Sequence, residues 1–551
     1  MTLFRHGFSP PVVLLLCTLG LGLAGCEGDD GSDGAAGTDG TAGADGINCW
    51  DLNQNGVGDL PDEDLNGDGV VDTLDCNPFA SEVFDAAQLH RGYFAVKPYE
   101  DTSSCLDCHG KIGDDVITTG HFKWEGLATN IVSAPAGTIH GKRDIINNFC
   151  VAVDTNEPRC TQCHIGYGYA DNTFDFDDPK NVDCLVCHDQ TSEKIYAKAP
   201  TTAGLPVDTV DLNLVAQSVA DNDGVPTIEN CIDCHAKAGG GDNVKHGDLA
   251  MSLENTTRDF DVHMGTDGAG YECVECHAVK KDVDENVLSH GIGGMPYHSV
   301  DEGDMQQCSG PCHTPSIHIG TSVEDIVTSH DRLACQVCHI PTFARGPKAT
   351  KVAWYWEDAG LPANPNPEEF DPVTGEPTWD RKKGSFEWAN NVRPTLRYFN
   401  GKWEKFLVGE NDVYTSVPAV LAEPVGDHTD PDAKIYPFKK MVGNQPADAN
   451  NNTVLVPHLF GPAGDTDKFW GNWDWNNALQ YAANVTGQPY SGAYEFVDTV
   501  MYLTVNHEVA PKEEAYGFGG VTACPDCHLT DVIDWSELGW SDDPLSGGTR
   551  P

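Results

Sequence analysis

The residues best suited to chemistry in this 551-residue chain are its cysteines, of which there are 21. Sixteen of them form eight pairs, and a histidine directly follows each pair. Seven pairs have two residues between the thiols. These are Cys105 and Cys108 with His109, Cys160 and Cys163 with His164, Cys184 and Cys187 with His188, Cys231 and Cys234 with His235, Cys273 and Cys276 with His277, Cys335 and Cys338 with His339, and Cys524 and Cys527 with His528. The eighth, Cys308 and Cys312 with His313, has a three-residue spacer. C-x-x-C-H is the attachment signature of a c-type haem. The thiols form thioethers with the haem vinyls, and the adjacent histidine is placed to bind iron. Zinc, the rival for Cys/His clusters, needs no repeated Cys-His neighbours. The chain therefore reads as carrying eight covalent haems.

Iron that only carries electrons needs a second axial ligand. Twelve histidines lie outside the motifs in the mature chain: His90, His121, His140, His246, His263, His290, His298, His318, His330, His428, His458 and His507. There are only 7 methionines, so bis-histidine ligation is the reading throughout. One segment, NVDCLVCHDQTSEKIYAK, ends in a lysine ten residues past its haem histidine. Lys198 is thus a candidate iron ligand, with Lys142 and Lys123 as alternatives and a solvated surface lysine as the bland reading. Cys150 belongs to no pair and stands ten residues before Cys160, where it would line the same pocket or lie inert.

The elements that must hold these groups are poorly supplied with ordinary core. Hydrophobic residues make up 39%, with 58 Gly and 34 Pro, so cofactors are expected to fill much of the interior. Short helices near each motif and few strands are expected. The stretch from Ile340 to Ala523 carries most of the tryptophans and no motif. It reads as helices and loops that cover the haems and deliver His428, His458 and His507. The net charge of -52 repels polyanions, which excludes nucleic acid and anionic lipid surfaces as partners.

The N-terminus has Arg5, the apolar run VVLLLCTLGLGLAG and then Cys26. This is an export signal over 1–25, and Leu23-Ala24-Gly25-Cys26 resembles a bacterial lipobox, with Cys26 lipidated. Residues 26–46 carry glycine at every third position, a collagen-like period that here reads as a spacer. Residues 47–77 hold two matched loops. Asp51, Asn53, Asn55, Asp59 and Asp62 form the first; Asp64, Asn66, Asp68, Asp72 and Asp75 form the second. Each has Gly at position 6, so each suits one Ca2+. The two loops resemble dockerin or thrombospondin type 3 repeats. Cys49 and Cys76 bracket them and are expected to pair. The cytochrome domain then runs over 85–551.

Three phrases carry a resemblance: NVDCLVCHD at Asn181, CHIPTFARG from Cys338 to Gly346, and FEWANNVRP at Phe386. With eight motifs, Cys105 to Leu529 resembles the octahaem tetrathionate reductase family. The resemblance implies a mainly α, loop-rich, haem-packed fold related to hydroxylamine oxidoreductase. It also implies one special haem, at Cys160, Cys163 and His164, with lysine on its iron and one face open to substrate. Lys142, Arg143, Arg159 and Lys194 would offset the acidic field for an anion. Two functions remain. One is an oxidoreductase for tetrathionate or a related sulfur or nitrogen oxyanion. The other is a non-catalytic electron conduit at the cell surface, with a filament as one form. Either implies redox-partner cytochromes or quinol-linked donors, a lipid anchor on the periplasmic face or outer surface, and room for homo-oligomers.

Overall fold

The computed structural model describes residues 86–149, 151–281, 287–294, 304–310, 312–361 and 367–550, together with 58–60 and 71. The chain divides into two units, Met1–Val83 and Phe84–Pro551. The signal, the spacer, Cys49, Cys76 and the calcium loops, Asp59 aside, lie outside the described residues, as do Cys150 and His298. All eight motifs belong to the second unit.

From residue 86 to about 340 the chain makes short helices joined by turns. Six motifs sit on or against a helix: Ser103–Val116, Glu157–Cys160, Leu185–His188, Ile228–His235, Cys273–Cys276 and Cys335–His339. A seventh lies at the 3-10 turn Gly520–Asp526. One helical turn is what brings two thiols, three residues apart, to the same side. In CSGPCH the extra residue is taken up by a turn in which Gly310 adopts φ 152 and its N–H bonds the His313 carbonyl at 2.8 Å. Strands are minor in this half. β1 (Glu125–Leu127) pairs with β2 (Ile139–Gly141), and β3 (His277–Lys281) lies between β4 (Val287–Ile292) and β5 (Asp304–Met305).

The expectation of a mainly α fold is overturned in the second half. Nine strands form one mixed sheet: β6 (Thr350–Tyr355), β7 (Glu368–Phe370), β8 (Pro377–Asp380), β9 (Gly384–Ala389), β10 (Thr395–Phe399), β11 (Trp403–Lys405), β12 (Ala419–Pro424), β13 (Lys434–Asp448) and β14 (Tyr494–Thr504). The order is β11-β12-β14-β13-β6-β9-β8-β7. β13 pairs along one edge with β14, antiparallel, with Met441 opposite Met501. Its other edge is shared by β10, antiparallel, and β6, parallel. The segments TLRYF, TKVAWY and YEFVDTVMYLT are dense in β-branched and aromatic residues, which suit a pleated surface. The central strands are buried on both faces, which hides the alternation that usually marks a strand.

The tryptophans of this half do pack, but on a sheet. Trp354, Trp356, Trp403, Phe399, Phe438 and Phe469 are all buried in one cluster. Trp354 and Trp356 stack at 5.2 Å, and Phe469 lies 3.8 Å from Trp475. One regular helix, Trp475–Thr486, closes the cluster. Asp474 caps it by accepting from Asn477 N–H at 3.1 Å, and Gly487 ends it at φ 76.

Candidate haem-binding sites

The fit to haem can be read from the residues that would hold it. Two imidazoles bound to one metal through opposite nitrogens, at about 2 Å each, have ring centres about 6 Å apart. Six motif histidines have another histidine at that spacing. His109 faces His90 at 5.9 Å, His235 faces His121 at 6.1 Å, and His313 faces His263 at 6.1 Å. His277 faces His507 at 6.1 Å, His339 faces His318 at 6.0 Å, and His528 faces His330 at 6.1 Å. For a seventh, His188, the largest charge influence is that of His290. Burial pushes His188 down to about 4 and His235 down to about 3, so both imidazoles are neutral and able to bind metal.

The other ring nitrogen of these histidines is anchored. His90 Nδ1 bonds the Ala86 carbonyl at 2.7 Å, His277 Nδ1 the Gly293 carbonyl at 2.7 Å, and His330 Nδ1 the Ile326 carbonyl at 2.9 Å. His290, His507 and His528 bond Asp115, Asp248 and Asp543 at 3.1, 3.2 and 2.8 Å. Each bond sets the tautomer and leaves Nε2 for iron, the usual role of a carbonyl or carboxylate behind a metal-binding histidine. The residues present therefore fit c-type haem.

Other expected ligands are used differently. His458 is bonded at both nitrogens, to the Thr155 carbonyl at 2.6 Å and to Asp465 at 2.8 Å. His140 contacts Asp144 at 2.6 Å and Glu410 at 3.3 Å. His428 is exposed, and His246 is half-buried beside Lys245, near His235 and His507, which already face other histidines. The physical reason is common to His140 and His458: both ring nitrogens are already engaged, so neither is left over for iron.

The motifs also touch one another. Cys105 lies within hydrogen-bonding reach of Cys184, Cys163 of Cys234, Cys231 of Cys273, and Cys308 of Cys335. Cys187 influences both Cys231 and Cys234, Cys276 influences Cys308, and Cys338 influences Cys527. The eight attachment points therefore form one connected series. In it the Cys160 motif meets the rest at Cys234, as a branch.

That branch differs from the others. His164 is fully buried in a box of Phe122, Trp124, Tyr169, Phe174 and Phe176, with ring centres 4.8 to 5.9 Å away. Its ring is turned the other way: Nε2 bonds the Phe122 carbonyl at 2.5 Å, and Nδ1 is buried with no hydrogen-bond partner. Among the described residues no histidine ring stacks on it.

Lys198 is close to this motif but committed elsewhere. Its Nζ contacts Asp183 at 2.7 Å and donates to the carbonyls of His164 at 3.0 Å and Gly166 at 2.9 Å, with both charged side chains fully buried. A metal ligand must present a lone pair to the iron, and here three acceptors surround Nζ. Lys198 thus stands beside the motif with its Nζ turned to these three acceptors. Lys123 pairs at the surface with Asp177 at 2.8 Å. Lys142 acts on Cys163 and on Lys245. Lys245 is buried, and burial, with Lys142 and Lys405 adding to it, pushes its amine well below the ordinary range. Sequence reasoning missed Lys245, and missed Asp115, Asp248 and Asp543 among 85 acidic residues.

Residues 351–531 match the family model Cytochrome c bacterial. The crystal structure of octaheme cytochrome c from Shewanella oneidensis superposes with a TM-score of 0.68 at 36% identity, covering 81% of this chain and 94% of that one. The chain belongs to the octahaem cytochrome c family. An uncharacterized protein of Archaeoglobus fulgidus is 29% identical, over 33% of this chain and 74% of its own length. The chain is thus a multihaem c-type cytochrome that carries electrons. Two phrases behind the resemblance meet in space. Phe343 of CHIPTFARG and Val392 of FEWANNVRP exchange both backbone hydrogen bonds, at 2.9 Å each.

Proposed function

We propose that this cytochrome reduces a small oxyanion, tetrathionate or a related sulfur or nitrogen species, at the haem attached through Cys160 and Cys163. The observation that carries the reading is His164. Six motif histidines face another histidine at about 6 Å, while His164 points its Nε2 at a backbone carbonyl inside an aromatic box. A site without an imidazole pair has a place for substrate. The haem there would supply electrons and a Lewis-acidic iron. The lysine that the resemblance implies is best met by Lys245, a buried amine whose pKa burial lowers, with Lys142 adding to the shift. Lys142, Arg143 and Arg159 would attract and orient an anion within an otherwise acidic protein. Arg143 is held for that role by Glu125 at 2.7 Å and lies over the Phe176 ring at 4.7 Å. The six histidine pairs, together with the His188 motif, would serve as the supply line, so that the whole chain would hold eight haems.

The conduit reading has its own support. The connected series of motifs runs to exposed cysteines at several points, Cys108, Cys308, Cys335 and Cys524. Export through the signal, a lipid on Cys26 and calcium in the paired loops belong to either reading. Cyanide separates the two. It should perturb one iron in eight in the oxidised protein, read by electron paramagnetic resonance. Wholly low-spin, cyanide-inert iron would leave the conduit.

A further inference from the structure

The bonds behind the iron-facing histidines are of two kinds, and the kinds differ in charge. Among the described residues five histidines bond a carboxylate: His140, His290, His458, His507 and His528. His140 and His458 have both ring nitrogens engaged, which leaves three in the haem series. His507 goes with the Cys273 motif, through its 6.1 Å spacing to His277, and His528 belongs to the Cys524 motif and faces His330. His290 exerts the largest charge influence on His188 of the Cys184 motif. His121 and His235 face each other at 6.1 Å and would hold the Cys231 haem. Among the described residues neither of them bonds a carboxylate.

Asp248 is the most enclosed of these carboxylates, at 1% exposed. Its Oδ2 accepts from Asn506 N–H at 2.7 Å, from His507 N–H at 2.9 Å and from His507 Nδ1 at 3.2 Å. Lys439 feels this charge, but its Nζ donates to the Val244 and Lys245 carbonyls at 2.7 and 3.1 Å and to Thr350 Oγ1 at 2.7 Å. Among the described residues no lysine or arginine pairs with Asp248. Asp115, on the helix Ser103–Val116, accepts from the N–H of His290 and from its Nδ1, the latter at 3.1 Å. The groups that act most on His235 are His121, His277, Lys245 and His507, none of them an acid.

The Cys231 motif, without a carboxylate, stands at the junction of the series. The helix Ile228–His235, which carries Cys231 and Cys234, is hydrogen-bonded to the motif on either side. Asn230 Nδ2 donates to the carbonyl of Asp189, the residue after His188, at 2.9 Å. Ile228 N–H donates to the carboxylate of Glu272, the residue before Cys273, at 2.6 Å. Cys234 lies within hydrogen-bonding reach of Cys163 in the branch. A carboxylate behind an axial imidazole makes that imidazole a stronger donor to iron, and its negative charge acts in the same sense. Both favour ferric over ferrous iron, so a haem backed in this way holds an electron less tightly than one without.

We propose that the Cys231 haem is an electron reservoir at the foot of the branch, set above the Cys273 and Cys184 haems in potential by Asp248 and Asp115. An electron that enters the series from a reduced partner cytochrome, at either end, then comes to rest beside the Cys160 site. In the last step a ferrous flanking haem is oxidised and the ferric Cys231 haem is reduced; one electron moves and no bond changes. Asp248 and Asp115 act through the histidines they hold, so they are positioning residues. What the reservoir feeds rests on the reading of the Cys160 haem as open, whereas the order of potentials does not. A substrate that takes two electrons there would find the first already in place.

The test is a redox titration of the full haem-loaded protein, followed by electron paramagnetic resonance and absorbance, in the wild type, Asp248→Asn and Asp465→Asn. Asp465 bonds His458, which has no ring nitrogen left over for iron, so its variant reports the loss of a carboxylate alone. Asp248→Asn should favour the ferrous state of one haem about tenfold, or about 59 mV for one electron, and Asp465→Asn should move none. His121→Met marks the Cys231 haem, because methionine on iron changes its spectrum and raises its potential. In the wild type, the signal that His121→Met alters should be reduced before the one that Asp248→Asn moves. Asp115→Asn gives the same measurement at the other flank if Asp248→Asn fails to take up haem. No shift in either of these variants, an equal shift in Asp465→Asn, or a Cys231 haem reduced after the Asp248-sensitive one overturns the reservoir. A wild-type protein with the expected order of potentials and no cyanide-sensitive iron overturns the open site and leaves the order standing.

Discussion

The two halves of the large unit solve the same problem with different materials. Residues 350–504 bury Trp354, Trp356, Trp403, Phe399 and Phe438 in one cluster with Trp475 and Ala478 of the helix Trp475–Thr486. Residues 86–340 bury only small groups of side chains, such as Phe94, Tyr99, Leu185, Val215 and Ala216, or Ile228, Ile232, Ala236 and Leu253. They are instead arranged around histidine pairs about 6 Å apart. One half has a side-chain core, and the other is shaped for cofactors that bring their own apolar surface. Binding and folding are then coupled in the first half, as they are in small metal-dependent domains.

The largest test of this contrast is to withhold haem. Chain made without haem attachment should lose nearly all helical far-ultraviolet circular dichroism from residues 86–340. The near-ultraviolet signal of the buried tryptophans should persist. Loss of both signals together would break the comparison.

A second test lies within the haem-shaped half, at its one fully buried ion pair among the described residues. Asp183→Asn would leave the Lys198 ammonium buried without its counter-charge. A loss of roughly 3–5 kcal/mol in denaturant unfolding is expected. A loss below about 1 kcal/mol would mean that the two carbonyls suffice.

The sheet carries a pH-dependent cost that sharpens the contrast. Lys405 in β11 is fully buried, and burial pushes its amine from 10.5 down to about 7. Between those values the unfolded chain binds the proton and the folded chain does not. Stability from this residue therefore falls as pH drops from 10.5 toward 7 and levels off below, at about 1.4 kcal/mol per pH unit at most. Lys405→Met should remove that slope, measured by unfolding at several pH values. An unchanged slope would assign the dependence elsewhere.

The smallest effect is local. Asp474→Ala removes the side-chain cap of the helix Trp475–Thr486 and should cost about 1 kcal/mol. Its thermal midpoint should shift with the sheet's tryptophan signal and not with haem absorbance.

The sheet was written in the sequence but easily misread. TLRYF and YEFVDTVMYLT have strand composition. β13 and β14 are buried on both faces, so no period of two stands out, and tryptophan density suggested packing helices instead. The helix at Trp475 shows the opposite case. Its buried residues Trp475, Ala478, Leu479, Ala482 and Ala483 follow helical spacing between a capping Asp and a closing Gly.

What the sequence by itself determined is the covalent chemistry. Two thiols and a histidine within five or six residues need nothing distant, so each attachment motif is legible alone. It also determined the likeness to octahaem cytochromes, because short phrases around the motifs keep their order. Which histidine faces which was decided by tertiary structure. His507 reaches His277 and His121 reaches His235 across long stretches of chain, and nothing local to either residue marks the partner. The same holds for the lysines. Lys198 looked available from its spacing, but folding sets Asp183 and two carbonyls around its Nζ. Lys245 had no local signal, and burial above all pushes its amine well below the ordinary range. Ligand availability depends on what else competes for the same lone pair, and that competition exists only once distant segments are packed together.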